Sequence, residues 1–376
     1  MNKLYVIKDD YSPNSAATNR LLAFVKGFEE LGVKTRVVFI RSDNSTKLPI
    51  DFGNVSFISL RVDSKIKIKY GNYYLQFILS IYPVLQFVRS LKSNDNVLLF
   101  GAMNYLFIFS LFKKINVYHE RTEHPKAVRT INRKLYVNKC KKLNGLFVIS
   151  THLKDYFSDM GVKKENIHIV NMVVDPNRFK GIPKEIGKER YIAYCGSIGN
   201  KKDGVDDLLR AFKIVTEKNS EIKLCLIGKI IRSIEKDEYL NYIKENNLES
   251  RIIFTGSISS EDMPKLLINA ETLILSRPIT IFNFGFPTKL GEYLLTGNPT
   301  VITNVGDIDL FLKDKDSTLI AQPGNIRDIA NKIEWVLTHP DESKIIGKKG
   351  YEVAMKYFNY RTEAQKFIDV IYPNFK

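Results

Sequence analysis

Apolar residues fall along the chain in short runs that alternate with longer amphipathic stretches. Leu4–Ile7 is the first such run. A polar loop follows from Asp9 to Ser15, and then Leu21, Phe24, Val25, Phe28 and Leu31 recur at helical spacing up to Gly32. That period places them on one face of a helix. Residues 33–40, with Val37, Val38, Phe39 and Ile40, read as a second strand. Strand, loop, helix, glycine, strand is the opening of a parallel α/β sheet. Val97–Phe100, Val117–Tyr118 and Leu146–Ile149 predict further buried strands, so the first half reads as one doubly wound domain.

The second half repeats this grammar. Strands are predicted at Tyr191–Tyr194, Lys223–Ile227, Arg251–Phe254, Thr272–Leu275 and Thr300–Thr303. Helices are predicted at Val205–Lys218, Ser260–Ala270, Leu290–Thr296, Glu342–Tyr357 and Arg361–Ile371. Val174–Arg190, with two prolines and two glycines, has the composition of a linker. The pattern predicts two Rossmann-like α/β domains facing a cleft, with ligands at the carboxyl ends of their strands.

Composition sharpens this picture. The 376 residues suit two domains at roughly 100–200 residues each. An apolar content of 44% and a charged content of 26% exclude a disordered or low-complexity chain. Cys140, Cys195 and Cys225 are too far apart for a zinc ribbon or a disulfide scaffold, which favours a reducing compartment. The N-terminal apolar run is shorter than a signal-peptide core, so a cytoplasmic protein is expected.

The charge is uneven. Residues 1–190 hold 32 Lys and Arg against 16 Asp and Glu, whereas residues 191–376 hold 25 of each. A basic half predicts an anionic partner. No helix-turn-helix, zinc-finger or RNA-recognition signature is present, so the expected partner is an anionic membrane surface and not nucleic acid. Tyr70–Val88 is an uncharged run of 19 residues, near the length of about 20 that a membrane span needs. Its Gly71, Asn72, Gln76, Ser80, Pro83 and Gln86 argue instead for a domain helix or a surface-docked one, broken or kinked at Pro83. Lys126–Lys142 has seven basic residues and no acid, with Ala127, Ile131 and Leu135 spaced along one face. It predicts a basic amphipathic helix, packed on the sheet or lying in a membrane surface.

Candidate chemistry gathers in four places. Gly285-Phe286-Pro287-Thr288-Lys289-Leu290-Gly291-Glu292 opens with a turn and enters a helix. Backbone N–H groups at a helix start suit a phosphate, Lys289 adds a charge, and Glu292 lies about one turn further on, where a carboxylate can accept ribose hydroxyls. Gly196-Ser197-Ile198-Gly199-Asn200-Lys201-Lys202-Asp203-Gly204 follows a strand; its small residues admit a ligand to the backbone and its lysines can neutralise a diphosphate. It matches neither a P-loop nor a G-x-G-x-x-G fingerprint. His119-Glu120-Arg121-Thr122-Glu123-His124-Pro125, expected as a loop after a strand, offers acid–base groups, Glu120 and Glu123 ahead of His119. In the loop Ser12–Arg20, Asn19 and Arg20 are candidates to reach an acceptor or the donor phosphate. Asp307-Ile308-Asp309 and Asp314-Lys315-Asp316 spell D-x-D, but two carboxylates without further oxygen ligands do not make a metal site, and none is expected.

These segments resemble the retaining family 4 glycosyltransferases, whose two-domain architecture is called GT-B. The 285–299 stretch is similar to that family's nucleotide-sugar loop, and Tyr194–Ser197 with Lys202, Gly204 and Val205–Leu209 is similar to its phosphate-binding start. Leu146–Ser150 and Val173–Phe179 are similar to its last N-terminal strand and its domain junction. The resemblance implies an acceptor-binding domain over residues 1–180, a nucleotide-sugar-binding domain over 188–358, and a final helical segment, 359–376, crossing back to the first. It implies that Glu292 holds the ribose, that Lys202 binds the donor diphosphate, and that Gly196, Ser197, Gly204, Pro287, Thr288 and Leu290 line the donor site. The family's E-x7-E pair is incomplete here, because Phe284 stands eight residues before Glu292; Ser197 stands where the family often has Arg, and Arg277 is the candidate replacement charge. The implied reaction moves a sugar from a nucleotide-diphosphate sugar to a lipid-linked or oligosaccharide acceptor in bacterial surface-polysaccharide synthesis, without a metal or other cofactor, at the inner membrane face. A nucleotide-sugar epimerase of the same fold and a non-enzymatic basic binding protein are the alternatives.

Overall fold

A computed structural model describes residues 3–13, 15–41, 47–60, 72–125, 132–185, 189–199, 203–230, 233–279 and 286–374. The chain divides into two compact units: Met1–Val173 with Tyr360–Lys376, and Val174–Asn359.

The first unit is built on a seven-stranded sheet of β1 (Leu4–Asp10), β2 (Thr35–Arg41), β3 (Val55–Ser59), β4 (Asn96–Phe100), β5 (Asn116–Arg121), β6 (Gly145–Val148) and β7 (Ile167–Ile169). All pairs are parallel, in the order β3-β2-β1-β4-β5-β6-β7. Helices α1 (Ala16–Glu30), α2 (Asn72–Ser90), α3 (Leu106–Phe109), α4 (Arg133–Cys140) and α5 (Thr151–Asp159) connect the strands. Ser15 starts α1 by accepting the Thr18 N–H, as an N-cap serine does.

The second unit holds six parallel strands: β8 (Tyr191–Cys195), β9 (Lys223–Ile227), β10 (Ile252–Gly256), β11 (Leu273–Leu275), β12 (Thr300–Thr303) and β13 (Leu319–Ala321). Their order is β10-β9-β8-β11-β12-β13. The helices are α6 (Val205–Thr216), α7 (Ser233–Glu245), α8 (Met263–Asn269), α9 (Thr288–Leu295), α10 (Ile326–Thr338) and α11 (Pro340–Tyr357). Both sheets thus have the Rossmann strand order, which reverses direction beside the first strand and opens a crevice there. In the second unit the crevice lies between the ends of β8 and β11.

The last helix, α12 (Tyr360–Ile371), belongs to the first unit. Its Ala364, Phe367 and Ile368 are buried with Val6, Phe24, Phe28, Val37, Leu98 and Phe147 in one core. The Phe367 ring meets those of Phe24, Phe28 and Phe147 at centroid distances of 5.0, 5.8 and 4.3 Å.

Three expectations need correction. Helix α2 continues through Pro83, although the missing proline N–H removes one of its hydrogen bonds. Strand β5 extends through Arg121, so His119, Glu120 and Arg121 are buried strand residues and not loop residues, with His119 and Glu120 hydrogen-bonded to buried partners. In α4 the buried face is Tyr136, Val137 and Cys140, whereas Leu135 is exposed. Ala127 and Ile131, the other two residues of that expected face, lie outside the described residues. Among the described residues, no helix is long and apolar enough to cross a membrane.

Candidate active site

The loop after β8 begins at Gly196 and leads into α6. Lys202, the expected diphosphate contact, lies outside the described residues, as do Asn200, Lys201, Phe284 and Gly285. Gly204 caps α6 in the left-handed region, with φ of +66°. A β-carbon there would sit 1.9 Å from the Ser276 carbonyl oxygen. Ser276 Oγ donates to the Gly204 carbonyl at 2.7 Å, which fastens this loop to the end of β11. Gly204→Ala is therefore expected to lower stability by about 1–3 kcal/mol through left-handed strain and overpacking. Urea unfolding followed by the fluorescence of Trp335, the chain's one tryptophan, would show it.

Three charged side chains from separate segments converge here. Asp203 is buried, and its Oδ1 accepts from Arg277 Nε at 3.0 Å. Its Oδ2 accepts from Lys289 Nζ. The Tyr194 hydroxyl accepts from Lys289 at 3.0 Å and shares its own proton between Asp203 Oδ2 at 3.0 Å and the Ser197 carbonyl at 3.1 Å. Burial alone would raise the Asp203 pKa; the adjacent Lys289 and Arg277 charges outweigh it and hold the carboxyl at about 2. The cluster keeps two cations against one anion, a net positive charge beside Gly196, where a β-carbon would collide with Lys289 Nζ. Arg277 thus stands with Lys289 on Asp203, in the loop that begins at Gly196.

Helix α9 starts after Pro287, with Thr288 exposed. The N–H groups of a first helical turn have no intrahelical partner and face outward. Leu290 uses its N–H on the Pro287 carbonyl at 3.0 Å. The Tyr293 hydroxyl accepts the Cys195 N–H at 2.6 Å and donates to the Cys195 carbonyl at 3.2 Å, which binds α9 to the end of β8. Burial, with the neighbouring Glu292 charge, pushes the Cys195 thiol up to about 12, so it stays protonated. Glu292 is half-buried and forms an ion pair with Arg178.

In the first unit the candidates separate. The His119 ring is fully buried, with Nδ1 3.0 Å from the Leu99 carbonyl and Nε2 2.9 Å from the Tyr136 hydroxyl. Burial lowers its pKa to about 4, with the nearby Arg121 charge contributing. The neutral ring fits both partners: Nδ1–H donates to the carbonyl, and Nε2 accepts from the tyrosine. Glu120 accepts from Arg20 Nε at 3.2 Å, and Arg20 also donates to the Asn171 carbonyl at 2.9 Å. Asn171 in turn donates its N–H to Glu363 Oε2 of α12 at 2.7 Å. Glu123 is exposed beyond the end of β5, His124 packs edge-on to Tyr156, and Asn19 is half-buried on α1.

The sequence reading passed over three residues here. Asp203 stood in the quoted loop, Arg178 in the junction motif and Arg121 between two candidate glutamates. Arg121 is buried, and its Nε and Nη2 have no hydrogen-bond partner. Of the D-x-D residues, Asp314 pairs with Lys332 and Asp316 with Lys349. Among the described residues, no three His, Cys, Asp or Glu side chains group as a metal site.

Comparison with known proteins follows the same division. Residues 177–353 match the family described as glycosyl transferases group 1. Mannosylfructose-phosphate synthase of Agrobacterium fabrum is 24% identical over 227 residues, covering 57% of this chain and 49% of that protein. The capsular polysaccharide biosynthesis glycosyltransferase CapM of Staphylococcus aureus is 24% identical over 258 residues, covering 65% and 59%. The chain spans about half the length of the first curated relatives it matches. Among solved structures, Anabaena HepE in complex with UDP and glucose is 16% identical with a TM-score of 0.77 over 99% of both chains. Sucrose-phosphate synthase of Thermosynechococcus elongatus is 15% identical with a TM-score of 0.79, covering 98% of this chain and 97% of that one. The two Rossmann-ordered sheets, the cationic loop at the second one's crevice and the match over residues 177–353 agree: that segment is similar to the glycosyl transferases group 1 family, within a chain of GT-B fold.

Proposed function

We propose that the protein transfers a sugar, with retention, from a nucleotide-diphosphate sugar to a hydroxyl of a lipid-linked glycan acceptor in bacterial surface-polysaccharide synthesis. The observation that carries this reading is the Arg277–Asp203–Lys289 cluster beside the start of α9, with Glu292 one turn further on. In such a reaction the bond from the anomeric carbon to the diphosphate breaks, a bond to the acceptor oxygen forms, and the acceptor hydroxyl gives up its proton. The main demand on the protein is positioning and relief of charge growing on the departing diphosphate. Lys289 and Arg277 meet that charge, with Lys202 as a further candidate, and the first-turn N–H groups of α9 add their dipoles. Glu292 receives the ribose hydroxyls. Within the first unit, Glu123 is the candidate best placed to meet an acceptor, because His119 and Glu120 are committed to buried partners. The basic first half, with Ile78, Leu79 and Tyr82 exposed on α2, supports an anionic membrane surface as the place of work.

A thermal-shift panel of UDP, GDP, ADP, dTDP and CMP on wild type and Glu292→Ala tests the reading. A ligand at 100 times its dissociation constant stabilises by about 2.7 kcal/mol. The expected result is one nucleoside diphosphate that shifts the wild type and shifts Glu292→Ala much less. No shift with any of them rejects the donor site and returns weight to a basic binding protein. Turnover of the nucleotide sugar without an acceptor points to the epimerase.

A further inference from the structure

Arg178 ties together three segments of the second unit. It ends a short 3-10 turn, Pro176–Arg178, whose start is capped by Asp175 Oδ1 accepting the Asn177 N–H at 3.0 Å. Its Nη1 donates to Glu292 Oε1 on α9. Its Nη2 donates to the Ser260 carbonyl at 3.1 Å and to Ser260 Oγ at 3.2 Å, between β10 and α8. The side chains of Arg178 and Glu292 are 24% and 23% exposed, so the pair is ordered by its surroundings and still open to a ligand.

A glutamate on a helix surface has three rotatable side-chain bonds and would otherwise point in many directions. A guanidinium is a planar fork, so an arginine fixed through Ser260 sets the direction of the carboxylate it grips. A carboxylate has about four lone-pair sites. The contact with Arg178 is made at Oε1, which leaves acceptor capacity on the same carboxylate for two neighbouring hydroxyls.

We infer that Arg178 is a positioning residue that aims Glu292 at the cis-diol of the nucleotide ribose and so makes the site select ribonucleotides over 2′-deoxyribonucleotides. The inference rests on the nucleotide-sugar reading of this site. An arginine that instead competed with the ribose for Glu292 would have the opposite effect on affinity, so the sign of one measurement separates the two roles.

The test is isothermal calorimetry on the full chain with UDP, GDP and ADP, each against its 2′-deoxy counterpart, for wild type, Arg178→Ala and Arg178→Lys. Wild type is expected to prefer the ribose form by about tenfold or more, since a site built around a hydroxyl rejects its absence. Arg178→Ala should weaken the ribose form by about tenfold while leaving the deoxy form nearly unchanged, so that the preference collapses. Arg178→Lys should keep part of it. Trp335 fluorescence confirms that each variant is folded. Equal weakening of both forms would mean a merely structural role, and tighter binding by Arg178→Ala would mean competition; either overturns the inference while wild-type binding stands. Failure of the wild type to bind any of the six nucleotides overturns the nucleotide-sugar reading itself, and this inference with it.

Discussion

Asp203→Ala is expected to lower the stability of the second unit by about 3–5 kcal/mol, the usual loss when one member of a buried ion pair is removed. The Arg277 and Asp203 side chains are 8% and 4% exposed, so the substitution leaves a buried guanidinium and a neighbouring ammonium without their counter-charge. Trp335 lies on α10 in the same unit, so its fluorescence during urea unfolding reports the loss. The pH dependence has a definite sign. The folded-state pKa of Asp203, about 2, lies below the ordinary 3.8. Its stabilising contribution is therefore complete above the unfolded value and is lost as pH falls through the folded one. Wild type should lose this contribution between roughly pH 4 and pH 2, while Asp203→Ala, which never had it, should show a flatter profile in that window. On the proposed reading, a bound nucleoside diphosphate would supply anionic charge to the same cations and should restore part of the variant's loss.

The second large effect is expected in the first unit. Arg20→Ala leaves Glu120 buried without its guanidinium and removes the donor that serves the Asn171 carbonyl. The expected loss is again about 3–5 kcal/mol. It should appear in far-ultraviolet circular dichroism as a transition that Trp335 does not report, since that residue belongs to the other unit. Pairing Arg20→Met with Glu120→Leu should recover much of the loss, because a buried pair replaced on both sides no longer strands a charge. Simple additivity of the two single substitutions would show that the residues do not act as a pair.

These two ion pairs also show which parts of the molecule the sequence made legible. Strands β9 and β12 have the predicted bounds, Lys223–Ile227 and Thr300–Thr303, because central parallel strands are continuous apolar runs. The outer strands β3, β7 and β13 escaped notice; Ile167-His168-Ile169 offers three residues, one of them polar, and no run to detect. The loops after β8 and before α9 stood out as motifs, but their internal pairing did not. Asp203 meets partners 74 and 86 positions away, and Arg20 meets Glu120 100 positions away. A buried charge satisfied by a distant one looks, in sequence, like a solvated charge. That is why His119–Arg121 read as a loop when it is the buried end of a strand.

Helix α12 has a consequence for how the molecule comes into being. It carries Ala364, Phe367, Ile368 and Ile371 into a core whose other buried members all precede residue 171. Residues 174–359, by contrast, form the other unit without interruption. A ribosome delivers the chain from its N-terminus at about 5–20 residues per second. The part made first must therefore wait, with Phe24, Phe28 and Phe147 lacking one wall of their packing, while the part made second is already complete. Maturation on the ribosome runs in the reverse of the order of translation, and the waiting half is where a chaperone would be needed.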